Sequence, residues 1–222
     1  MHSIHDQQLI EQAKLNKEQH ALNERLYKAI KENNLAACKK LIQQGANVFL
    51  LSGQDIRMFD PDDNTPLHIA AKDGRLQIAE LLIKNKANIS AKNRKRQTPL
   101  HWAVHNRHPK LIKFFIDNGA DIEIKENEGD TPLTWAVYLG HLDIAKLLIG
   151  LGANVNNQSL ERLTPLHWAA YKGDLPMVEL LVQHDADPEV LSKTGDTAIL
   201  YATQNGHVGV VKYLIDVIDE RA

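Results

Sequence analysis

The chain has 222 residues, 43% hydrophobic and 24% charged, with a formal net charge of −2. That balance gives no overall attraction to nucleic acid or to an anionic membrane, and apolar runs such as Leu81-Leu82-Ile83 fall far short of the ~20 residues of a membrane span. One cysteine, Cys38, excludes an internal disulfide framework, and the start Met1-His2-Ser3-Ile4-His5-Asp6 lacks the basic-then-apolar order of a secretory signal, so a reducing compartment is expected.

Residues 1–25 are polar, with Leu9, Ile10, Ala13 and Leu22 thinly spaced. They predict an exposed helix or a partly disordered arm, suited to capping whatever follows. Leu26-Tyr27-Lys28-Ala29-Ile30-Lys31-Glu32-Asn33-Asn34-Leu35 then aligns with residues 67–76, and Leu41-Ile42-Gln43-Gln44-Gly45-Ala46-Asn47 with residues 82–88. The connection after this first unit is longer than later ones and apolar, carrying Phe49, Leu50, Leu51, Met58 and Phe59. Packing over the end of a stack and a partner-contacting flap are both readings of that loop.

From Thr65 the chain repeats itself. Thr-Pro-Leu opens the units at Thr65, Thr98, Thr131 and Thr164, and a weaker Thr-Ala-Ile copy opens at Thr197, each 33 residues after the last. Threonine suits a helix N-cap, and proline the first helical position, where its missing N–H costs nothing. Gly74, Gly140, Gly173 and Gly206 predict a left-handed bend before a second helix, whose apolar ridge runs through positions such as Ile78, Leu82, Ile144 and Leu148. That helix ends in Gly-Ala-Asp/Asn at Gly45, Gly119 and Gly152.

Period 33, Thr-Pro-Leu-His, a mid-repeat glycine and Gly-Ala-Asp/Asn together resemble the ankyrin repeat family. The resemblance covers residues 26–222 and implies six repeats starting near 26, 60, 93, 126, 159 and 192, the first degenerate. It implies an all-α fold, an α-solenoid of helix-turn-helix units joined by β-hairpin-like fingers. Departures matter: Arg107, followed by Pro109, stands where other units have glycine, which predicts an altered or strained bend. Thr134 and Leu200 replace the motif histidine, putting its hydrogen bonds in doubt there.

No catalytic motif emerges: there is no Gly-x-Ser-x-Gly, P-loop or dinucleotide fingerprint, and no cofactor is expected. His101 and His105, four apart with His108 nearby, have a spacing that zinc uses. The resemblance instead gives His101 the structural role of the motif histidine, so no metal is expected. Cys38 aligns with Ala79, a small core position.

The residues four, seven and eight places past each threonine fall on the helix face opposite the core alanines. They are Ile69, Lys72 and Asp73; Trp102, His105 and Asn106; Trp135, Tyr138 and Leu139; Trp168, Tyr171 and Lys172; Tyr201, Gln204 and Asn205. All three tryptophans and three of the five tyrosines lie on this stripe. Burial against the next repeat accounts for a tryptophan, but a tyrosine seven places past the threonine serves no core. Rigid aromatics of this kind are common binding anchors. The fingers add charge: Lys92, Arg94, Lys95 and Arg96 form a basic tip, and Glu123, Glu126, Glu128 and Asp130 an acidic one.

These observations point to a non-enzymatic scaffold or adaptor, expected as a cytoplasmic monomer, that holds another protein or peptide across its concave aromatic groove and fingertips. A nuclear address stays open. So does a host-cell cytosol, since the His-, Lys-, Asn- and Gln-rich style resembles secreted effectors of intracellular bacterial pathogens. Two alternatives stand beside the scaffold. Some ankyrin domains of histone methyltransferases build aromatic cages, and Trp135, Tyr138, Trp168 and Tyr171 with Glu128 or Asp130 resemble such a methyl-lysine reader. A nucleic-acid-associated regulator would instead use the basic tip, a weaker reading for so few charges.

Overall fold

Threonine and proline set each first helix. In the computed structural model, which describes residues 4–49 and 62–221, the Thr65, Thr131 and Thr197 hydroxyls accept the N–H three residues on, at 3.4, 3.3 and 3.5 Å. Proline occupies the first helical position after Thr65, Thr131 and Thr164. The described residues form twelve helices and no strand, an all-α fold: α1 Ile4–Lys31, α2 Leu35–Gln43, α3 Pro66–Lys72, α4 Leu76–Lys84, α5 Pro99–His105, α6 Pro109–Asp117, α7 Pro132–Tyr138, α8 Leu142–Gly150, α9 Pro165–Lys172, α10 Leu175–Gln183, α11 Ala198–Gln204 and α12 Val208–Arg221. Among the described residues no helix is long and apolar enough to cross a membrane. The chain divides into two compact units, residues 1–99 and 100–222.

In the first unit, α1 runs unbroken through residue 25, where the arm was expected to end. Its C-terminal half buries Asn23, Leu26, Ala29 and Ile30, packing on α2 and α3. Asn23 Oδ1 accepts the Asn47 N–H at 2.8 Å, and Gln19 Nε2 donates to Gly45 O at 2.9 Å. These bonds fasten the polar helix to the first repeat; farther out, Leu9, Ile10 and Leu15 are exposed. Phe49 is exposed, while Leu50, Leu51, Met58 and Phe59 lie outside the described residues. Cys38 is fully buried and burial pushes its thiol up to about 11, so it stays protonated core.

In the second unit, α5, α7, α9 and α11 are first helices and α6, α8, α10 and α12 second helices. Contacts join α7 to α9 and α9 to α11, and α8 to α10 and α10 to α12. Small residues allow this approach: Ala103, Ala136, Ala169 and Ala202 are all fully buried. The second helices bury Ile112 and Phe115, Ala145 and Leu148, Val178 and Leu181, and Leu214. Between paired helices the backbone turns left-handed at Gly140, Gly173 and Gly206, with φ from +70° to +74°. Arg107 makes the same turn at φ +54°, so the third repeat keeps the bend and holds a side chain in a conformation that favours glycine. Of the two expectations for this position, strain is observed and altered geometry is not.

Among the described residues the fingers are turns, with no strand pairing. Asp121, Asn154 and Asp187 each accept the N–H two residues on, at 2.9 Å, which steers the chain outward from the second helix. The tip then folds back: the Glu126 N–H reaches Asp130 O at 3.2 Å, and Ser159 and Ser192 repeat the bond to Leu163 and Asp196 at 2.9 Å. Successive fingers are tied by Leu160 N–H to Glu128 O and Lys193 N–H to Glu161 O, both 2.9 Å.

Candidate functional site

The motif histidine explains how each first helix is aimed. In the first unit, His68 Nδ1 accepts the Thr65 N–H at 3.1 Å, so the protonated Nε2 donates to Gln97 O at 2.9 Å, at the foot of the next finger. Burial holds this imidazole near pKa 4, neutral at any physiological pH, with the Gln97 bond opposing. His167 repeats both bonds, to Thr164 N at 3.1 Å and Asp196 O at 3.2 Å. Thr134 keeps only a local bond, its hydroxyl 3.1 Å from that of Thr131. Leu200 makes no side-chain hydrogen bond.

With the helices so aimed, the stripe of the second unit separates into two kinds of residue. Of the rings four places past the threonine, Trp135, Trp168 and Tyr201 are inter-repeat mortar, each meeting a ring of the preceding repeat. Trp135 meets His101 edge-on at 5.3 Å and His105 at 5.8 Å, and Tyr201 meets His167 at 5.5 Å. Trp102 lies 5.8 Å from His105, and all four of these rings, Trp168 included, are half-buried. The tyrosines seven places past are different: Tyr138 is 46% and Tyr171 45% exposed. Each also touches Trp168 edge-on, at 4.9 and 6.1 Å, and Lys172 Nζ stands 4.5 Å above the Tyr138 ring. The result is a joined aromatic surface across α7 and α9.

Below it opens a cavity of about 570 Å³, lined on the helix side by His105, Trp135, Tyr138, Leu139 and Trp168. The finger side supplies Glu126, Glu128, Asp130, Ser159, Glu161 and Leu163. Among the described residues, four carboxylates and no lysine or arginine line this space. They are not equivalent. Glu126 is buried and its Oε1 accepts the Glu128 and Asp130 N–H groups at 2.8 and 3.2 Å, bracing the tip. Glu161 pairs with Lys193 at 2.9 Å. Glu128 is exposed, and Asp130 Oδ1 is closed off from solvent with no hydrogen-bond partner among the described residues. Burial, then the charges of Glu126 and Glu128, push Asp130 up to about 7, against the pull of Lys125. Trp168 Nε1 is likewise enclosed and unbonded.

The structure thus gathers His105, Trp135, Tyr138, Leu139, Trp168, Glu128 and Asp130 around one space. Trp102, Tyr171, Lys172 and Tyr201 are off its wall. Lys92, Arg94, Lys95 and Arg96 belong to the first unit, where Arg94 Nε meets Asp63 at 2.7 Å. Glu123 faces the next finger instead, taking the Asn154 N–H at 2.7 Å and the Asn157 side-chain amide. Sequence reasoning missed Ser159, Glu161 and Leu163, brought in by the finger-to-finger bonds. It also missed His141 and His207, whose Nε2 atoms reach His105 O at 3.1 Å and Tyr171 O at 2.9 Å and pin the stripe's backbone. Their shared place ten residues past the threonine was the available signal.

A family model described as "Ankyrin repeats (3 copies)" matches the chain at residues 5–93, 26–126, 89–159 and 151–221. No curated protein gives a significant match.

Proposed function

Because the chain belongs to the ankyrin repeat family, whose repeats generally serve as protein-binding modules, we propose that it is a non-catalytic scaffold or adaptor whose second unit holds a partner segment on the aromatic face of α5, α7, α9 and α11 and on the adjoining fingertips. One observation carries this reading: Tyr138 and Tyr171 keep nearly half their surface in water while resting on Trp168. Large rings held rigidly yet left open lose little rotamer freedom when a partner covers them. Residues 1–25, continuous with the first repeat through α1, serve as its polar cap, with 26–222 as the repeat domain.

The test is affinity capture with quantitative mass spectrometry, comparing the wild type with Tyr138→Ala/Tyr171→Ala. Loss of about 2 kcal/mol or more at an anchor lowers affinity at least roughly tenfold, so the captured partner should fall away while circular dichroism stays unchanged. Full retention of that partner by a folded double variant removes the reading. The tyrosines serve better than Trp135, whose loss would also unpack His101 and His105. The basic finger has less to offer nucleic acid, because Arg94 already spends its charge on Asp63. The cation-reader alternative draws on a separate observation, the acids facing the rings.

A further inference from the structure

The cavity under the aromatic surface pairs two features that favour the same kind of ligand. Its helix side presents Trp135, Tyr138 and Trp168, and its finger side presents Glu128 and Asp130, whose carboxylates have no ion pair among the described residues. The other two acids are engaged, Glu126 by the backbone of its own finger and Glu161 by Lys193. An aromatic face attracts a cation, and Lys172 Nζ lies 4.5 Å from the Tyr138 ring centroid on this surface, within the range of that attraction. An enclosed carboxylate oxygen without a partner costs free energy that only an N–H or O–H donor recovers. A quaternary ammonium has no donor. We propose that this cavity receives the lysine or arginine side chain of a partner segment, its N–H groups donating to Asp130 and Glu128 and its stem lying against Trp135, Tyr138 and Trp168.

The inference rests on the docking reading above and narrows the partner to a segment with a protruding basic residue. It also makes docking respond to pH. The groups around Asp130 are Lys125, Glu126 and Glu128 on its own finger, His105 on α5, Tyr138 on α7 and Glu161 on the following finger. Lys125 donates to Gln158 O at 2.8 Å and still pulls against the rise at Asp130. With Asp130 titrating at about 7 before binding, a ligand that needs its ionised form meets little of it at pH 6 and nearly all of it at pH 8. Apparent affinity scales with that fraction and rises about tenfold over this interval.

The experiment follows the tryptophan indole N–H signals of the full chain by NMR while capped single residues are added. These are the N-acetyl methylamides of lysine, arginine, norleucine and trimethyl-lysine. The lysine and arginine probes should shift the Trp135 and Trp168 signals saturably, norleucine should not, and trimethyl-lysine should bind more weakly than lysine. Affinity for the lysine probe should rise about tenfold from pH 6 to pH 8, and Glu128→Gln/Asp130→Asn should abolish both the binding and its pH dependence. Binding of norleucine as tight as that of lysine, tighter binding of trimethyl-lysine, a flat pH profile, or no saturable shift with any probe each overturns the proposal. None of those results touches the partner-capture experiment, which fails only if Tyr138 and Tyr171 are idle.

Discussion

A carboxyl that titrates near neutrality makes folding itself depend on pH. Asp130 has an ordinary value of 3.8 when the chain is unfolded and about 7 when folded. Between those limits the folded state binds the extra proton, so the stability linked to it is fully present below about pH 4 and is lost as pH rises through 7. Asp130→Asn removes the titration with little change of shape. Its gain in stability over wild type should therefore be larger at pH 8 than at pH 4, by about 2 kcal/mol once the formal linkage is roughly halved for partial exposure. Urea titrations of both proteins at the two pH values measure this, and an equal gain at both would show that Asp130 titrates normally. The sequence displayed Asp130 only as one of four acids on a tip. What distinguishes it is first its own burial and then the charge of Glu126, buried beside it and bonded to the tip's own backbone, facts that sequence spacing does not carry. The same limit applies to the aromatics: the threonine-based spacing put Trp135 and Tyr138 on one stripe, but only the contacts with His101 and His105 make one mortar and leave the other open.

At the scale of the helix pair, the repeat is held by turns that sequence marks with glycine only some of the time. Gly45, Gly119 and Gly152 end their second helices with φ near +90°, but Lys86 and Asp185 fill the same place at φ +69° and +66°. Arg107 does likewise between helices. The backbone bonds are nonetheless complete there: the Lys86 N–H reaches Ile83 O at 2.8 Å and the Arg107 N–H reaches Val104 O at 3.1 Å. The fold imposes the turn and the residue bears the strain, which is why an unusual residue at 107 changed the strain and not the path. Lys86→Gly and Asp185→Gly should each stabilise the protein by about 0.5–1 kcal/mol, relief of left-handed strain outweighing the entropy glycine adds to the unfolded chain. Arg107→Gly should gain less, because it also gives up the exposed Asp143 pair at 3.0 Å, a contact of roughly 0–1 kcal/mol. Thermal unfolding of the three variants ranks them; an Arg107 gain exceeding the other two would contradict this ordering.

Across the molecule, a stack of repeats is stable as a sum of unit and neighbour terms, so local weaknesses show as local opening. In the second unit the α9–α10 repeat has every device: Pro165 at the helix start, His167 bonded to Asp196, fully buried Leu166 and Ala170, and a seat for His207 against Gly173. The α11–α12 repeat has lost most of them. Ala198 stands for proline, Leu200 for the histidine, and Thr203 for the second alanine, its hydroxyl bonding back to Ile199 O at 2.9 Å. Val208 is 77% exposed. These losses were legible in the sequence, because each is a departure from a motif whose purpose is local. Their effect on stability falls on both the unit term and the neighbour term. Amide hydrogens of α11 and α12 should exchange at least tenfold faster than those of α9 and α10, a gap of about 1.4 kcal/mol in opening free energy. Leu200→His should narrow it, since the ring would recover the bond to Thr197 that His167 makes to Thr164. Uniform protection across the four helices would mean that the second unit opens as one body, with a neighbour coupling strong enough to hide the missing contacts.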